Sequence, residues 1–162
     1  MKLQARDINM INYAEISGGT IHNYADLFFN SDYFGADRRL LILQKNKLIK
    51  ASYHPILNKK IYYKGKLPSY HSLIAQDIYI KNIEVIQEYK REAKLDKYKV
   101  DVFIITKKLN IYIVEIDIFN KTSNEKQEAI KKYIKTKLGK EARIIILTKK
   151  DIDNKKVPLL SW

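Results

Sequence analysis

Apolar residues recur at helical spacings near the start of the chain. Ile8, Ile11, Ala14 and Ile16 do so through residues 4–17, and Gly18-Gly19 ends the run, which predicts a first helix. Thr20 is placed to cap a second, whose Ile21, Tyr24, Leu27 and Phe28 follow the i, i+3, i+4 rule. Ser31-Asp32 opens a third, carrying Leu40, Leu41 and Leu43. Two short β-prone runs come next, 48–53 and 60–63, around a turn containing Pro55 and Asn58. Residues 65–70, GKLPSY, read as a linker, and the pattern changes after them. Residues 71–82 are helical in period and 83–90 alternate like a strand through Ile83 and Val85, whereas the polar run 91–97 reads as a connector. Segments 98–106 and 111–119 are dense in Val, Ile, Phe and Tyr and predict strands. Ser123 caps a long charged helix that Gly139 closes, 142–148 is a last buried strand, and 151–162 form a tail.

The order predicts an α+β or α/β protein in two domains. Three helices and a hairpin over 1–66 have the order of a winged helix-turn-helix, and α-β-β-β-α-β over 70–150 makes a small second domain. In the first, the third helix would enter the DNA major groove, with Arg38, Arg39 and Lys45 as contacts. The hairpin would touch backbone through Lys59, Lys60, Tyr63 and Lys64. A dimerisation module with a solvated basic face is the alternative reading of the same segment.

Charge strengthens the first reading. The 162 residues carry 31 Lys and Arg against 18 Asp and Glu, a formal charge of +13, and such a surplus binds nucleic acid through counterion release. A coding bias toward Lys, Ile, Asn and Tyr contributes to it. The absence of cysteine excludes disulfides, iron–sulfur clusters and thiol chemistry, and the three histidines lack helical zinc-ligand spacing. With no glycine-rich phosphate loop, signal peptide or apolar run near the length of a membrane span, the expectation is a cytoplasmic protein with no membrane association.

The chemistry is expected in 111–120, IYIVEIDIFN, where Glu115 and Asp117 interrupt an apolar strand. Two residues apart, they share one face. A three-residue loop, Lys108-Leu109-Asn110, with Asn110 in the left-handed conformation, would put Asp101 opposite Asp117 and bring all three carboxylates together. Three oxygen ligands in an apolar sheet suit Mg²⁺ or Mn²⁺. Lys126, early in the following helix, is the nearest lysine able to assist phosphodiester hydrolysis, with Lys121 as the alternative. The competing reading is a sheet face open to solvent or paired with lysines of that helix.

Asp101 followed by Glu115-Ile116-Asp117 and a lysine-bearing helix resembles the PD-(D/E)XK nuclease superfamily, in which an Asp opens one strand and Glu-x-Lys lies in the next. Asp117 stands where that motif has lysine, and the resemblance would then assign the lysine's role to Lys126 or a neighbour on the following helix. Over about 150 residues, Arg6-Asp7, Arg38-Arg39, Asp101, Glu115-Ile116-Asp117 and the KKYIK run with Tyr133 resemble the plasmid replication-relaxation family, which includes relaxases. That likeness implies a protein of plasmid replication or mobilisation that binds double-stranded DNA, acts, if active, as a metal-dependent nickase and works beside a relaxase or other mobilisation protein; a homodimer is the expectation of the dimerisation reading. The alternative is an inactive DNA-binding accessory factor or transcriptional regulator on a degenerate nuclease-like scaffold.

Overall fold

The computed structural model describes residues 1–154, 158 and 160. They form two compact units, Met1–Ile80 and Lys81 onward. Among the described residues no helix is long and apolar enough to cross a membrane.

Unit 1 holds α1 (Ala5–Ile16), α2 (Ile21–Phe28), α3 (Tyr33–Lys45), the hairpin β1 (Lys50–Tyr53) and β2 (Lys60–Tyr63), and α4 (Tyr70–Lys81). The helix stops are local chemistry. Gly18 turns at φ 66°, where an added Cβ would lie 2.9 Å from Pro68, so a side chain is excluded on two counts. Thr20 and Asp32 accept backbone N–H groups at the starts of α2 and α3. Between α1 and α2, Gly19 pairs with Tyr62 through two backbone hydrogen bonds of 3.0 and 2.8 Å, adding a one-residue third rung to the β1–β2 hairpin. Met10, Ala14, Tyr24, Leu40, Leu43, Ile49 and Tyr62 form the core. Buried His54 anchors the hairpin turn: its Nδ1 accepts from Ile56 and Leu57 N–H, which leaves Nε2 to donate to Pro68 O at 3.0 Å.

Unit 2 is built on a sheet of β3 (Ile86–Leu95), β4 (Tyr98–Thr106), β5 (Ile111–Asp117) and β6 (Ala142–Thr148), in that spatial order. The first three are antiparallel; β5 and β6 are parallel, and α5 (Asn124–Leu138) makes the crossover that parallel pairing needs. The element order from residue 70 to Thr148 is α-β-β-β-α-β, as the pattern predicts, although its first helix, α4, groups with unit 1. A short α6 (Lys149–Asp153) occupies the start of the expected tail. Asn82 holds Pro158 and Leu160 by hydrogen bonds of 2.8 and 2.9 Å, and the rest of 155–162 lies outside the described residues.

Two expectations are corrected. The polar run 91–97 is mostly strand: β3 continues to Leu95, and only Asp96-Lys97 turn. β3 is an edge strand, largely exposed, so it carries the polar residues that reads as a connector when seen alone. The β4–β5 loop also sits one residue earlier than expected. Thr106 and Asn110 pair, through Thr106 N–H to Asn110 O and Asn110 N–H to the Thr106 hydroxyl, and Leu109 takes the left-handed conformation at φ 62°. The loop is still three residues long, so every side chain keeps its face while the register moves by two.

Candidate functional site

β5 is the most enclosed strand, with every residue from Ile111 to Ile116 buried. On the face that bears the acids, Ile111 and Ile113 pack under Ile130 and Ile134 of α5, which explains the apolar company around the carboxylates. Val102↔Val114 is the last regular pair of the β4–β5 ladder described, and one further step sets Asp101 across from Glu115, not Asp117. There side chains replace backbone rungs. Asp101 Oδ2 accepts the Ile116 N–H at 2.7 Å, and Glu115 Oε2 accepts the Asp101 N–H at 3.3 Å.

Lys126 completes the arrangement. Ser123 caps α5 by accepting the Lys126 N–H at 3.1 Å, which places Lys126 in the first turn. Its Nζ lies 2.5 Å from Glu115 Oε1 and donates to Lys99 O at 2.9 Å. Burial pushes the Glu115 carboxyl above the usual carboxylate range, with the Asp101 charge adding to the rise and the Lys126 ammonium only partly offsetting it. Asp101 and Glu115 thus offer hard oxygen donors side by side, a donor set that fits Mg²⁺ or Mn²⁺, although a cation bound there has to share or displace the ammonium. Asp117 has other partners: its Oδ2 accepts the Thr122 N–H at 2.6 Å and its Oδ1 the Thr122 hydroxyl at 2.7 Å. Among the described residues no group of three or more His, Asp and Glu is placed to hold a metal ion.

The basic residues of unit 1 separate into two groups. Arg38, Lys45, Lys60 and Lys64 are exposed and Lys59 and Tyr63 half-buried, while Lys60 also lies over the Tyr62 ring at 5.3 Å and Lys64 pairs loosely with Glu15 at 3.8 Å. Arg39 is turned inward. Its Nε and Nη2 both donate to the carboxylate of buried Asp7, at 2.6 and 2.5 Å, joining α3 to α1. Beside it, Arg6 stacks over the Phe29 ring at 4.1 Å. The Arg6-Asp7 and Arg38-Arg39 motifs therefore meet in one internal contact, between Asp7 and Arg39, while Arg6 and Arg38 are both exposed.

Sequence reasoning missed two participants, Thr122 and the Lys99 carbonyl, which give no signal because neither residue type nor spacing marks them.

No family model matches the chain, and neither does any curated protein. The likeness to plasmid replication-relaxation proteins thus rests on the short motifs. Among solved structures, the crystal structure of a repair endonuclease from Pyrococcus abyssi aligns at 21% identity and a TM-score of 0.37, covering 60% of this chain and 48% of that one. The chain spans about half that protein's length, and a superposition so loose fixes neither fold nor chemistry.

Proposed function

We propose that this protein binds duplex DNA through unit 1 and nicks it, with Mg²⁺ or Mn²⁺, at Asp101, Glu115 and Lys126 in unit 2, in the replication or mobilisation of a plasmid or other mobile element. One observation carries the nuclease reading: a buried glutamate of the central strand lies between Asp101 and a lysine delivered by the next helix. Apolar burial of such a pair is costly, and hydrophobic residues of similar volume would hold the sheet as well, so a chemical role explains its presence better than stability does.

Asp101 and Glu115 would hold the cation, which when bound activates water and offsets charge at phosphorus. Lys126, half-buried beside Glu115, would turn its ammonium to a phosphate oxygen and supply positive charge there. Unit 1 supports the DNA reading through its order of helix, single rung, helix, helix and hairpin, which is that of a winged helix, and through exposed Arg38, Lys45, Lys60 and Lys64. The test is nicking of supercoiled plasmid with Mn²⁺. Glu115→Gln and Lys126→Ala should each lower it by about 100-fold while leaving duplex binding in place. Wild-type protein that binds duplex but never nicks favours the second reading, an accessory factor beside a relaxase, for which the closed Glu115–Lys126 pair would be a structural strut.

A further inference from the structure

Asp117 stands on the same face as Glu115, yet both its oxygens are taken up by one residue five positions on, Thr122. Thr122 is itself buried, and its carbonyl receives the Gln127 side chain at 3.5 Å. Ser123, the next residue, caps α5 and binds the Lys126 N–H. A chain of contacts therefore runs from the end of β5 through the loop to the lysine: Asp117 to Thr122, Ser123 to Lys126, and Lys126 to Glu115.

We propose that Asp117 is a positioning residue, a clamp on Thr122 that fixes the start of α5 and so sets the reach of Lys126 to Glu115 and the Lys99 carbonyl. This rests on the proposed role of Lys126 and gives the strand's second acid a task other than holding metal. The Lys126 stem is flexible, but its one ammonium meets both Glu115 and the Lys99 carbonyl from the first turn of α5, and where that turn starts decides whether both are met at once. The loop between Asp117 and Ser123 has no strand pairing in the sheet to fix it, and the clamp provides that restraint. Asp101 and Glu115 do not need Asp117: Asp101 is anchored by the Ile116 N–H and Glu115 by the Asp101 N–H.

Three readouts test this on the full chain: the Lys126 ammonium resonance in ¹⁵N spectra recorded cold and at mildly acidic pH, Mn²⁺ affinity by calorimetry, and plasmid nicking. In Asp117→Ala and in Thr122→Val the ammonium signal should be lost or broadened while Mn²⁺ affinity stays within about twofold, and nicking should fall tenfold or more because misplacement by about 1 Å is enough to do so. The double variant should be no worse than either single one, as expected of two residues acting through one contact. Asp117→Asn, which keeps an acceptor for the Thr122 hydroxyl, should recover part of the signal and guards against a misfolded alanine variant. An unchanged ammonium signal in both single variants would overturn the clamp, and so would loss of Mn²⁺ binding in Asp117→Ala but not in Thr122→Val. The ammonium readout holds whether or not the protein nicks DNA, so a failed nuclease reading and a failed clamp are told apart.

Discussion

At the scale of single residues, two buried carboxylates behave in opposite ways. The Arg39 guanidinium beside Asp7 holds that carboxyl below the usual carboxylate range, with the Gln4 N–H assisting. A lowered folded pKa means that the pair's stabilisation is fully present above the unfolded value near 3.8 and is lost as pH falls through the folded one. Asp7→Asn should cost about 3 kcal/mol in urea unfolding at neutral pH, a loss that shrinks below pH 3.8. Arg39→Ala should cost a similar amount, with a sub-additive double variant; strictly additive losses would contradict the pairing. Glu115 is raised instead, so its ionisation opposes folding: stability is highest with the group protonated and declines as pH rises through its folded pKa. Glu115→Gln should therefore melt higher than wild type at neutral pH without metal, and the gap should close on acidification; a variant that melts lower would mean Lys126 more than offsets burial. The sequence made Glu115 and Asp101 conspicuous, because a charge in a Val- and Ile-rich strand breaks a pattern. It could not reveal that Arg39 belongs to Asp7, since a contact across 32 positions leaves no periodic trace and both residues look equally apt for a surface.

At the scale of elements, most boundaries were legible because caps and glycines mark them: Thr20, Asp32 and Ser123 at helix starts, Gly18 and Gly139 at ends. What the pattern left open was pairing. The β4–β5 register depends on a side-chain choice within the loop, where the Thr106 hydroxyl takes the Asn110 N–H and moves the left-handed position onto Leu109. A leucine there is strained, and it is 49% exposed, so little packing is lost on replacing it. Leu109→Gly should stabilise unit 2 by about 1 kcal/mol, read from the chemical-unfolding midpoint. Destabilisation would indicate that Leu109 is not the residue that turns. The second half of edge strand β3, residues 91–95, escaped notice because it is mostly polar and only Ala93 and Leu95 keep the apolar alternation on which strand reading depends.

At the scale of the whole molecule, a charge of +13 would make the proposed binding to DNA steeply dependent on salt. The apparent affinity for a duplex should fall linearly on logarithmic axes, and Arg38→Ala should reduce the slope by about one while Arg39→Ala, at matched folded fraction, leaves it unchanged. A flat salt response would remove the electrostatic basis of the DNA reading. The metal is the other half of the proposal, and calorimetric titration of Mn²⁺ into the wild-type chain and into an Asp101→Asn, Glu115→Gln double variant examines it without any knowledge of a target sequence. Saturable binding in the wild type that disappears in the double variant is the expected result. No binding in the wild type, or equal binding in both, would contradict a metal-dependent site at Asp101 and Glu115.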